Sequence, residues 1–176
     1  MISITDIAKE EVIQEAFDHV YKRRKKRHHN DAIWHVSLHW DEIKPDIIER
    51  LLKGTYQLSP MKHYQIDDVG QVGIWCAEDA IVLKAIAIVL EKPIKETFDL
   101  ENVAHVKGNG GLKQAVSKAS AFCRSGNPFV YKTDVKDFYQ TINHEVLINQ
   151  LEKITNDEKL IKILTNYCER VDIVNG

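Results

Sequence analysis

Asp134 and Asp137 stand where two patterns meet, in the stretch YKTDVKDFYQTINHEVL at 131–147. Upstream, Phe129, Tyr131, Thr133 and Val135 alternate with Val130, Lys132 and Asp134, and this alternation predicts a strand. Downstream, Phe138, Ile142, Val146 and Leu147 follow helical spacing, with Asn143 able to cap the helix. Two chemistries compete for an acid at such a junction. Asp and Asn bond free backbone N–H groups at strand ends and helix starts. A carboxylate held rigidly at a strand end is also a hard oxygen ligand of the kind Mg²⁺ takes. Two aromatics, Phe138 and Tyr139, follow at once.

Other candidates are the glycine-rich stretch HVKGNGG at 105–111 and two cationic regions. Glycines let backbone N–H groups approach an anion, and a helix beginning at Leu112 would add its positive end. The stretch is neither a Walker loop nor GxGxxG, so a plain turn before a helix explains it equally. Lys22 to Arg27 read KRRKKR, followed by His28 and His29. From Asn102 to Thr133 there is no acid, yet Lys107, Lys113, Lys118, Arg124 and Lys132 fall inside. In a chain of formal net charge -2, such segregation suits tracks for a phosphate backbone. His35 and His39 have i, i+4 spacing, but no glutamate follows His35 as in HExxH, so packing or exposure is the expectation. His144, at a helix start, is expected neutral.

The elements that must carry these residues can be drawn from periodicity. Helices are expected over 4–21, 42–53, 78–91, 112–124, 143–154 and 157–170, with Gly54 ending the second and Pro93 the third. The basic run 22–29 continues or follows the first helix. Trp34, Val36, Leu38 and Trp40 alternate, which suits a short strand or a packed loop. Residues 62–75 suit a hairpin turning around Asp67 to Gly70. The closing VDIVNG resembles the start of a strand or loop with nothing after it, as in a truncated frame.

With 176 residues, 44% hydrophobic and 28% charged, the chain can bury a sizeable core. Three scattered cysteines, Cys76, Cys123 and Cys168, give no disulfide framework and suit a reducing, cytoplasmic setting. No signal peptide is visible. The most apolar stretch, 80–90, is too short for a bilayer, so no membrane role is expected.

Taken together, these segments resemble reverse transcriptases of the bacterial type, as in group II introns and retrons. The stretch 131–147 is similar to the family's first palm motif, with Asp134, the pair Phe138 and Tyr139, then Ile142 and His144. LLKGTYQLSP resembles the lead into the fingers hairpin, EDAIVLKAIAIVLEK the next fingers helix, and NVAHVKGNGGLKQAV the loop and helix that touch the template. The likeness covers roughly 45–150. It implies an α+β fold, helix-rich, with a fingers β-hairpin and an incomplete palm whose strand ends at Asp134. The implied organisation is an N-terminal helix and basic arm at 1–40, fingers at 41–125 and the start of a palm at 126–176.

The resemblance also implies roles. Asp134 and the backbone carbonyl of Val135 would bind two Mg²⁺ ions that activate a primer 3′-hydroxyl and hold pyrophosphate. Tyr139 would reject a 2′-hydroxyl on the incoming nucleotide, and Phe138 would pack the palm core beside it. Lys62 would grip the triphosphate. Lys107, Gly108, Gly110, Gly111, Lys113 and Gln114 would lie along the template, and Arg23, Arg24 and Arg27 would contact nucleic acid. The implied partners are an RNA template, a DNA or RNA primer and deoxynucleoside triphosphates.

Two departures stand out. The fingers arginine expected after Gly70 is replaced by Gln71, Val72 and Gly73, with Lys84 a possible substitute. The paired aspartates of the second palm motif are missing, so the chain alone is not expected to polymerise. A non-catalytic RNA-binding module is the main alternative, and a metal-dependent nuclease a weaker one.

Overall fold

In the computed structural model, residues 1–66, 70–106, 108–127, 129–169 and 172–174 are described. They belong to two compact units, one formed by Met1–Pro93 with His144–Gly176 and the other by Ile94–Asn143.

The first unit is built on buried helix faces. The expected first helix is two, α1 (Ile4–Ile7) and α2 (Glu10–Arg24). Asp6 closes the start of α1 by accepting from the Ser3 N–H at 3.0 Å. Ile13, Ala16, Phe17 and Val20 form the buried stripe of α2, and the helix runs on into the basic segment as far as Arg24. Next come α3 (Ala32–Leu38) and α4 (Trp40–Lys53). The strand-or-loop expectation for 34–40 is therefore corrected. The apparent alternation hides a helical stripe, because Ile33, Val36 and Trp40 are the buried residues. Asp31 caps α3 by accepting from the Ile33 N–H at 3.0 Å. Trp40 stacks on Phe17 with ring centroids 4.0 Å apart and donates its indole N–H to Gln14 at 2.8 Å. Gly54 ends α4 as expected, in the left-handed region at φ 70°.

The expected hairpin is present. β1 (Met61–Ile66) pairs antiparallel with β2 (Gly70–Ile74), with Lys62 opposite Ile74 and His63 opposite Gly73. The turn residues Asp67 and Asp68 lie outside the described residues. α5 (Ala77–Thr97) then runs through Pro93, where a stop was expected. Proline removes the N–H that would bond the Val89 carbonyl, at ~3 kcal/mol in a helix interior. The buried run Ile81, Val82, Ala85, Ile86 and Leu90 drives the helix regardless.

α8 (His144–Leu151) and α9 (Glu158–Cys168) complete the helices of this unit. β3 (Asp172–Val174) lies parallel to β1, in the sheet order β2-β1-β3. Val171 lies outside the described residues. The chain's first residues are held by the turn between α8 and α9. The Ile2 N–H donates to the Ile154 carbonyl at 3.2 Å, and the buried Thr155 hydroxyl donates to the Ile2 carbonyl at 2.8 Å.

In the second unit, α6 (Gly111–Arg124) is followed by α7 (Phe138–Thr141). Residues 129–135 form no strand, which corrects the expected palm strand ending at Asp134. A strand exists only by hydrogen bonding to a neighbour, and no described strand pairs with this segment. Its alternating apolar side chains are exposed, Phe129 at 94%.

Candidate functional site

In the second unit Asp134 is exposed and, among the described residues, bonds to no other side chain or backbone group. Three residues later the backbone turns sharply. Asp137 adopts φ 50°, ψ 41°, the only non-glycine residue at positive φ among those described. Aspartate tolerates this left-handed conformation better than most residues. The turn starts α7, which is closed when the Thr141 N–H donates to the Asp137 carbonyl at 3.0 Å. Phe138 and Tyr139 open that helix and meet edge to face, with centroids 5.4 Å apart. Phe138 is half exposed, which corrects its expected place in a packed core, and Tyr139 is 82% exposed. The expected helix from Asn143 begins at His144.

The glycine loop is compact. Gly108, Gly110 and Gly111 all have positive φ, at 99°, 72° and 61°. Glycine is required most clearly at Gly110, the residue before α6, where a Cβ would collide with the Gln114 side chain. Asn109 braces the loop by donating from its side-chain amide to the Val103 carbonyl at 3.0 Å. A crease of about 190 Å³ is lined by Asn102, Asn109, Gln114, Lys118 and Phe122. Lys113 and Lys118 are exposed on α6. Lys107 lies outside the described residues.

The remaining candidates belong to the first unit. Lys62 is exposed on β1. On the facing strand, a Cβ at Gly73 would lie 2.5 Å from Met61 Cε, so a side chain there requires the flexible end of Met61 to move. An arginine cannot occupy that position without displacing Met61. Arg23 and Arg27 are exposed at the end of α2 and just after it. Arg24 is different. It donates to the Trp75 carbonyl at 3.2 Å and lies 4.0 Å from Asp31, with its side chain only 12% exposed. Burial pulls its guanidinium below the usual value, and Asp31 partly restores it.

Sequence reasoning passed over one buried polar cluster. Asp79, in the first turn of α5, is 1% exposed. It accepts from the Tyr56 hydroxyl at 2.8 Å and from the Ser59 N–H at 2.9 Å. Burial first, and then Asp79, push the Tyr56 phenol up. The Cys76 sulfur accepts from the Asp79 N–H at 3.4 Å, and burial pushes its thiol up to about 11. The signal was available in Cys-x-x-Asp at the start of an apolar helix, which has the spacing of a capping pair. Among the described residues no three His, Cys, Asp or Glu side chains gather to hold a metal. None of their helices is long and apolar enough to cross a membrane.

No protein-family model matches the chain, and no curated protein matches it. Among solved structures it is similar to chains in a partial Cas6-RT-Cas1–Cas2 complex and in a Cas6-RT-Cas1–Cas2 complex. Both matches have TM-score 0.57 and 19% identity over 98% of this chain. The chain spans only 28% and 18% of those chains' lengths. The likeness is one of fold, in a helix-rich mixed α and β arrangement.

Proposed function

We propose that this chain is the fingers and first palm segment of a longer RNA-directed DNA polymerase. The observation that carries the reading is the fold likeness, which extends over 98% of the chain to complexes that contain a reverse transcriptase. The order of the hairpin, α5, the glycine loop, α6 and the Asp134 segment along the chain agrees with it.

Asp134 supplies one hard oxygen with no competing internal partner, and the Val135 carbonyl is its neighbour in sequence. That suits one Mg²⁺ ligand set in part only. A two-metal site needs further carboxylates, and the described residues do not gather them. No catalytic step therefore follows from these residues alone. In the longer protein Tyr139 would meet the sugar of the incoming nucleotide. The glycine loop, Lys113 and Gln114 would meet the template, and Lys62 the triphosphate. The partners would be an RNA template, a primer and deoxynucleotides.

In that longer protein, Asp134→Ala is expected to abolish Mg²⁺-dependent primer extension on an RNA template while RNA binding persists. Extension that survives the substitution would sink the reading. A specific observation favours the second reading, a non-catalytic RNA-binding module. Among the described residues Asp134 belongs to no group of three ligating side chains, and the stretch 102–133 before it holds cations and no acid. In that case Asp134→Ala changes nothing measurable.

A further inference from the structure

The cations of the first unit are unevenly matched. On α1, α4 and the residues beside them they are paired with acids. Lys9 meets Asp6 at 2.9 Å, Lys44 meets Glu10 at 2.7 Å, and Arg50 meets Asp46 at 2.6 Å and Glu78 at 2.9 Å. At the end of α2, Arg24 and Arg27 share Asp31, at 4.0 and 3.4 Å, and for the other cations the pattern breaks. Lys22, Arg23, Lys25 and Lys26 are exposed and, among the described residues, none has a carboxylate within 4.0 Å. Lys84 on α5 has none either.

The buried Arg24 sets the direction of this cluster. Its bonds to the Trp75 carbonyl and its approach to Asp31 fix the rotation of the last turn of α2. With 3.6 residues per turn, His19, Lys22 and Arg23 then share the neighbouring face. Lys84 reaches the same place from α5, within electrostatic range of His19. These cations outnumber Glu15, the acid that acts on His19, and an anion relieves their mutual repulsion. The main apolar stripe of α2 (Ile13, Ala16, Phe17 and Val20) is buried, and the half-buried Val12 and Tyr21 make no continuous stripe to enter a bilayer. A polyanion fits the face better than a membrane does.

We propose that His19, Lys22, Arg23 and Lys84 form a docking face for the phosphate backbone of RNA, carried wholly by the first unit. The choice of RNA over other polyanions rests on the polymerase reading. Arg24 is a positioning residue for this face and not a contact. His19 makes the face proton-linked. Partial desolvation, then Lys84, Arg23 and Lys22, hold its imidazole below the ordinary value, while Glu15 acts the other way. A bound phosphate favours the imidazolium, so binding takes up a proton and tightens as pH falls.

The test is fluorescence anisotropy of a labelled oligouridylate with the whole chain, in EDTA, across a salt series. Lys22→Ala/Arg23→Ala/Lys84→Ala is expected to weaken binding at least roughly tenfold and to lower the salt slope by ~2, at ~0.7 per phosphate contact. The exposed pair Lys22→Ala/Arg23→Ala, which leaves the half-buried Lys84 in place, should lower it by ~1.4. His19→Ala should reduce the tightening seen as pH falls below the ordinary imidazole range. An unchanged salt slope in both charge variants overturns the proposal. So does a chain that binds phosphatidylserine vesicles but not the oligouridylate, or that binds duplex DNA more tightly than RNA. The assay contains no primer, nucleotide or Mg²⁺. A failed primer-extension experiment therefore leaves this result standing, and a failed binding experiment leaves Asp134 untested.

Discussion

Asp79 is the residue on which the first unit depends most sharply. Removing its carboxylate leaves the Tyr56 hydroxyl and the Ser59 N–H without their acceptor, Tyr56 being deeply buried. Asp79→Ala should cost ~3 kcal/mol in urea denaturation, the sum of two lost bonds and a desolvated hydroxyl. Adding Tyr56→Phe should recover part of the loss, because the orphaned hydroxyl goes with it. Cys76 gives a prediction in pH. Its thiol is raised to about 11 by burial, so the folded chain keeps a proton that an unfolded thiol releases near ~8.5. The stabilisation is complete below that pH and is lost as pH rises toward the folded value. Alkylation of Cys76, followed by mass spectrometry, should still be climbing at pH ~10, and a plateau by then would contradict the assignment. At this scale the sequence pointed to Asp134 and Tyr139 by motif alone. It did not expose Asp79, because burial is decided by which helix covers a residue.

Among the elements, α9 shows how one side chain can serve two helix starts. Asp157 accepts from the Lys159 and Leu160 N–H groups at 2.9 and 3.2 Å, and also from the Ile4 N–H at 2.8 Å, at the first position of α1. Asp157→Ala should cost ~2 kcal/mol in thermal or urea unfolding, at the upper end of the range for a lost cap. A loss of only a few tenths would mean that water replaces it. A helix starting near Asp157 was legible in the sequence, but the tie of that residue to Ile4, 153 residues away, was not. Helices with clean stripes and glycine stops, such as α4, were legible. The residues 34–40 misled because an alternating and a helical pattern overlapped over seven positions. Pro93 misled because core burial outweighed the local penalty.

For the whole molecule, burial is concentrated in the first unit, while α6 of the second has no buried residue. Hydrogen exchange should therefore find slow amides around Ile13, Ile47 and Ile81 and nearly unprotected ones from 129 to 135, where no ladder bonds the backbone. Strong protection of 129–135 in this chain would restore the expected strand. The sequence by itself determined the helix-rich mixed composition, the hairpin, the cationic segments and the candidate acid. Each of these rests on local periodicity, charge or turn chemistry. Only the tertiary structure decided that Arg24 is an internal strut while Arg23 stays exposed, that Gly73 lies under Met61, and that Asp79 sits in the core. It also decided that the alternating residues before Asp134 make no strand. Burial and strand pairing are relations between distant segments, and a side chain's spacing along one segment carries no record of what lies across from it.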